Sequence, residues 1–201
     1  MSKVIEFWFD YVSPYGYVAS EKIEAIAAKH GRSVAWRPFL LGAVFKVTGA
    51  SPLTNLHPMK SGYAVHDFAR SARRFGIPFA MPPKFPIASI PVARATYWVE
   101  AKHPDKTGAY VHAAYRGYFA KGLDVSSPEV AADLAAGIGL DRAACLAALG
   151  DEAVKARLKD MTEEAVKREI FGSPFMIVDG EKFWGSDRLE QVEEWLARGG
   201  W

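Results

Sequence analysis

Serine and proline stand together at two places where an apolar run meets a turn. The first is Phe7-Trp8-Phe9-Asp10-Tyr11-Val12-Ser13-Pro14-Tyr15-Gly16. A helical pattern follows, so Ser13 falls at the N-cap and Pro14 at the first helical position. Free N–H groups at such an end attract an anion and lower the pKa of a thiol held there. The second place is Phe171-Gly172-Ser173-Pro174-Phe175, which begins another apolar run. Brought together, the two would form a site for a small thiol-bearing peptide. Ser13-Pro14-Tyr15-Gly16 carries no sulfur. A serine cannot exchange disulfides at pH 7, so redox chemistry is excluded at this site. On local grounds alone, a plain N-cap worth about 1 kcal/mol is the stronger account of Ser13.

The elements that must position these residues follow from periodicity and turn signals. Residues 4 to 9 read as a strand. Residues 14 to 30 read as a helix with Ala19, Ile23, Ile26 and Ala27 on one face and Gly31 as its stop. Ser33 to Phe39 reads as a second strand, which makes a β-α-β unit with a right-handed crossover. Residues 42 to 58 lack a clean period and read as a loop with at most a helical turn. Met59 to Phe75 reads as a helix, and Pro78, Pro82, Pro83 and Pro86 make an extended loop after it. Ser89 reads as the cap of a helix reaching about Ala101. Further helices run from about Lys106, from Ser127-Pro128, from Asp141, and from Asp151 to about Glu169. Phe175 to Val178 and Glu181 to Trp184 read as strands joined by the hairpin signal Asp179-Gly180. Gly185-Ser186-Asp187 leads into a last helix. The order predicts one α/β domain with a thioredoxin-like fold. Its central mixed sheet comes from about 1–41 and 151–201, and an all-helical subdomain is inserted at about 42–150.

Composition narrows the partners. The 201 residues hold 25 basic and 23 acidic side chains, a net charge of +2, too balanced for a nucleic-acid partner. Cys145, the single cysteine, lies in the apolar helical run Ala143-Ala144-Cys145-Leu146-Ala147, where a buried, inert thiol is expected. His57, His66, His103 and His112 lack ligand spacing, so no metal is expected. No segment approaches a membrane-spanning length, and Met1 to Glu6 lack a signal-peptide layout. A cytoplasmic protein with no membrane partner is the expectation.

With these residues in view, the chain resembles the 2-hydroxychromene-2-carboxylate isomerases. They belong to the DsbA-like branch of the thioredoxin superfamily, close to the kappa-class glutathione transferases. The resemblance rests on Phe9 to Tyr15, on Tyr63 to Pro86, on Phe171-Gly172-Ser173-Pro174 and on Phe183-Trp184-Gly185-Ser186-Asp187-Arg188-Leu189. It implies a homodimer that uses glutathione as cofactor in isomerising a small aromatic hydroxyacid. It also implies that Ser13 donates a hydrogen bond to the glutathione thiolate, which favours the functional reading of that residue. Pro174 resembles the cis proline of the superfamily, which would leave the N–H and C=O of Ser173 facing the cleft to bond the cysteinyl backbone. Many relatives carry valine at Ser173. Ser186 and Asp187, after Trp184-Gly185, resemble the family's grip on the γ-glutamyl end. Lys46 and Asn55 resemble residues that face the organic substrate. Leu56 stands where some relatives have arginine, and Pro86 is expected in the same cleft. The alternatives are a kappa-like transferase or peroxidase, and a non-catalytic glutathione-binding or chaperone-like module.

Overall fold

The computed structural model describes residues 3–201; Met1 and Ser2, the start of the N-terminal stretch considered above, lie outside it. Strand β1 (Val4–Phe9), helix α1 (Pro14–Lys29) and strand β2 (Ser33–Pro38) come first. β1 and β2 pair in parallel, from Val4 opposite Ser33 to Phe9 opposite Pro38, as a helical crossover demands. Pro38 lacks an N–H and sits at the end of an edge strand, where it costs no ladder bond. β3 (Phe175–Val178) runs antiparallel beside β1, and β4 (Glu181–Trp184) antiparallel beside β3. The sheet order β2-β1-β3-β4 is that of a mixed sheet in a thioredoxin-like α/β fold.

Between β2 and β3 lie α2 (Leu41–Thr48), α3 (Pro58–Arg74), α4 (Ile90–Lys102), α5 (Thr107–Phe119), α6 (Pro128–Gly137), α7 (Arg142–Ala148) and α8 (Glu152–Lys167). A single 3-10 turn, Ser186–Arg188, precedes the last helix, α9 (Leu189–Arg198). Ser13, Ser127, Asp141 and Asp151 each cap a helix by accepting a backbone N–H.

The strands alternate between two cores, as a period of two requires. Ile5, Phe7 and Phe9 of β1, with Met176 and Val178 of β3, face the core shared with α1, α5 and α6. Trp8, Phe175 and Ile177 face the second core, closed by Phe39, Tyr97, Leu158 and Met161. Both sheet faces are therefore covered, and each large side chain removed from water contributes about 1.5–3 kcal/mol. The hairpin between β3 and β4 turns where expected. Asp179 and Gly180 both have positive φ, 52° and 96°, as a tight primed turn needs. Arg32 holds the Asp179 carboxylate from the neighbouring edge with two bonds of 2.9 and 2.8 Å.

Two expectations change. Residues 41–48 form a full helix, α2, rather than a loop, although no side chain caps its start. Leu41 and Val44 turn one face of it into the second core, so tertiary burial supplies what local sequence does not. Ser89 stands at the N-cap of α4, yet its hydroxyl caps nothing there. It donates instead to the Asp10 carboxylate at the end of β1.

Candidate functional site

A cleft of about 1400 Å³ opens where the ends of β1 and β3 meet the starts of three helices. Its floor includes Asp10, Ser13 and Ser89, all buried. Ser13 has extended backbone dihedrals, φ −88° and ψ 113°, which place its side chain over the first turn of α1. Its Oγ accepts the Gly16 N–H at 3.0 Å and donates to the Ser173 carbonyl at 2.8 Å. The Ser173–Pro174 bond is cis, as is Phe85–Pro86. The two serine-proline segments, 160 residues apart, therefore meet directly. One expectation needs correcting: the Ser173 carbonyl is not free, because Ser13 occupies it. The Ser173 hydroxyl is also engaged, accepting the Asp10 N–H at 3.0 Å.

Next to this pair the chain leaves β4. Trp184 is 54% exposed and packs edge-on against Phe171. Gly185 has φ 107°, a conformation open to glycine and strained for other residues. A Cβ there would also collide with the Asp187 carboxylate. That turn brings Ser186 and Asp187 to the start of the 3-10 turn, whose first N–H groups have no partner within it. Asp187 is exposed and lies 3.2 Å from Arg188. Across the rim, the Tyr15 hydroxyl donates to Asp67 at 2.6 Å. Burial, with the Asp67 charge, raises the Tyr15 pKa, so it stays a protonated donor. Arg70 pairs with the other oxygen of Asp67.

The opposite wall is apolar, built by Leu41, Phe45, Leu53, Phe85, Ile87 and Ile90. Lys46 and Pro86 line the cleft with it. Among the described residues Lys46 has no ion pair. Of the positions singled out from sequence, Ser13, Lys46, Pro86, Ser173, Trp184, Gly185, Ser186 and Asp187 all line this one cleft. Asn55 and Leu56 do not; the lining ends at Thr54, within the 3-10 turn Leu53–Asn55. Pro174 lies just behind the wall, its carbonyl accepting the Gly185 N–H at 3.0 Å. Sequence reasoning passed over Asp10 and Ser89 on the floor, and Asp67 at the rim. Asp10 carried a signal: it is an acid directly after a fully apolar strand end.

Cys145 takes no part. It is buried in α7, and burial pushes its thiol up to about 11. Among the described residues no cluster of three acids, histidines or cysteines could hold a metal ion, and no helix is long and apolar enough to cross a membrane.

Comparison with known proteins completes the picture. The model of the DSBA-like thioredoxin domain matches residues 4–197. A 2-hydroxychromene-2-carboxylate isomerase of Sphingobium xenophagum is 29% identical over 98% of this chain and 99% of its own. A kappa 2 glutathione S-transferase of Caenorhabditis elegans is 28% identical over 97% of this chain and 92% of its own. Among solved structures, a 2-hydroxychromene-2-carboxylate isomerase superposes with a TM-score of 0.88 at 26% identity, covering 97% of this chain and 95% of that one.

Proposed function

Because the chain belongs to the DSBA-like thioredoxin-domain family, and resembles its isomerase members end to end, we propose that it is a glutathione-dependent isomerase. Its substrate is an aromatic hydroxyacid, 2-hydroxychromene-2-carboxylate or a close analogue, interconverted with the ring-opened trans-o-hydroxybenzylidenepyruvate. The observation that carries this reading is a hydroxyl, not a thiol, at the start of α1 on the floor of a cleft with room for two ligands. Pockets for a single drug-sized ligand measure roughly 300–1000 Å³, less than the cleft of about 1400 Å³.

The donor set fits a zwitterionic tripeptide. Ser186 and Asp187 offer N–H groups to a carboxylate, and the Asp187 side chain offers a charge to an ammonium. The positive-φ glycine at 185 brings that backbone close to a ligand. When bound, glutathione supplies a nucleophilic thiol that is returned unchanged at the end of each cycle. Ser13 holds that sulfur as a thiolate by turning its proton from the Ser173 carbonyl toward it; the released carbonyl then accepts a ligand N–H. Lys46 orients the substrate by pairing with its carboxylate. The wall of Leu41, Phe45 and Ile87 receives the ring and keeps water from it.

The test is an assay with glutathione and 2-hydroxychromene-2-carboxylate that follows the ultraviolet spectrum and the free thiol together. The expected result is approach to an equilibrium mixture with the thiol titre constant. Stoichiometric loss of thiol would assign the chain to the transferase chemistry of its kappa relatives instead. Absence of glutathione binding at millimolar concentration by calorimetry would leave only a non-catalytic module.

A further inference from the structure

We propose that Asp10 is a positioning residue of this cleft: its carboxylate pins the starts of α2 and α4 to the end of β1, and so sets the distance between Ser13 and the substrate wall. The inference rests on the two-ligand reading above. Asp10 is 4% exposed, and its main chain and side chain serve opposite walls. The main chain serves the Ser13 side. Its N–H donates to Ser173 Oγ at 3.0 Å, and its carbonyl accepts from the Ser13 N–H at 2.9 Å and the Tyr115 hydroxyl at 3.0 Å. The side chain serves the other side. Oδ2 accepts the N–H of Leu41, the first residue of α2, at 2.8 Å. Oδ1 accepts the Ser89 hydroxyl at the start of α4 and the Val12 N–H at 3.1 Å.

α2 carries Phe45 and Lys46, and the chain entering α4 carries Phe85 to Ala88, so these two starts present most of the substrate wall. Neither helix has a side-chain cap of its own. The carboxylate lies where two helix ends present free N–H groups and a partial positive charge. Burial raises the Asp10 pKa above the ordinary carboxylate value, against the opposing bonds from Ser89, Leu41 and Val12. The titratable groups that feel its charge are Tyr11, Tyr115 and Tyr118.

Asp10→Asn leaves the main-chain bonds intact. Whichever way the amide turns, the N–H of Leu41 or of Val12 loses its acceptor. Hydrogen exchange, the KM for 2-hydroxychromene-2-carboxylate and the glutathione Kd are measured on the wild-type protein and the variant. The expected outcome is exchange about tenfold faster or more at Leu41 or Val12, whichever loses its acceptor, with β3 unchanged. KM rises about tenfold, the worth of one bond to a charged group, while kcat at saturation and the glutathione Kd stay within about threefold. Unchanged exchange at both Leu41 and Val12 overturns the proposal, as does a glutathione Kd that rises in step with KM. Ser89→Ala removes a single bond and gives a smaller shift in the same direction, read in the first turn of α4, should Asp10→Asn not fold. If the wild-type protein fails to bind glutathione, the isomerase reading falls, while the exchange pattern still decides whether the carboxylate pins the wall.

Discussion

The molecule has a second, smaller hollow, and it differs from the cleft in how its polar groups are used. It measures about 490 Å³ and lies outside β2, against Glu24, Arg32, Glu100 and Asp105. Three of those charges are already committed. Glu24 meets His112 Nε2 at 2.8 Å, Glu100 meets Arg37 at 2.6 Å, and Arg32 grips Asp179. In the cleft, among the described residues, Lys46 makes no ion pair, and the 3-10 turn at Ser186 has no side-chain cap. Charges that satisfy one another stabilise a surface modestly. Polar groups left with spare capacity beside an apolar wall are what a ligand needs. By this criterion the larger hollow is the candidate site, and the smaller one resembles a seam between elements.

Three substitutions can break or sharpen that contrast. Ser13→Ala should have the largest effect: kcat/KM falls by about 100-fold or more, the usual loss for one well-placed donor to a developing or resting anion. Stopped-flow spectra at saturating glutathione measure it, and turnover within a few-fold of wild type would remove Ser13 from its role. Lys46→Ala comes next. The KM for the carboxylate substrate should rise about tenfold, with glutathione affinity by calorimetry unchanged, because only one side of the cleft is altered. An equal loss of both would mean that the cleft is not divided as described.

The smallest effect belongs to the outer face. Burial opposes a charge on His112, but Glu21 and Glu24 prevail and raise its pKa to about 9 from the ordinary 6.5. A raised folded-state pKa means that its stabilisation is complete below pH 6.5 and is lost as the pH climbs through about 9. His112→Gln should lower stability by about 1 kcal/mol at pH 6 and flatten the decline between pH 6.5 and 9, with turnover unchanged. Urea titrations across that range check it. A loss of turnover at pH 7 would show that the outer face and the cleft are coupled after all.

Much of this architecture can be read from local signals. Pro14 after Ser13, Asp179 before Gly180, and the unbroken run Phe175 to Val178 each have a physical meaning confined to a few neighbours, and the elements form where those signals stand. The cleft residues that are hardest to read depend on distant partners. The Asp10 carboxylate reaches 31 residues onward to Leu41 and 79 onward to Ser89, and no window of sequence contains that. Ser89 looks like a cap because serine favours that position, but its ψ of 13° is not the extended conformation of a cap, and its hydroxyl turns to the buried Asp10 carboxylate. α2 is hidden for the opposite reason: Gly42, Val44, Val47 and Thr48 weaken its local case, and packing on the sheet restores it. Asn55 and Leu56 stand one and two residues beyond Thr54, where the lining ends. Which residues of a three-residue turn face inward depends on how the turn docks, and the spacing of side chains along the chain does not determine it.

The lone cysteine has a practical consequence. Cys145 is sealed inside α7, its thiol proton held tightly by burial, and the sequence contains no other. An alkylating reagent can therefore reach sulfhydryl in this polypeptide only when the surrounding helices come apart. Each labelled molecule then records one opening event. The protein carries its own single-site clock for the rate at which the fold gives way, and no thiol lines the cleft.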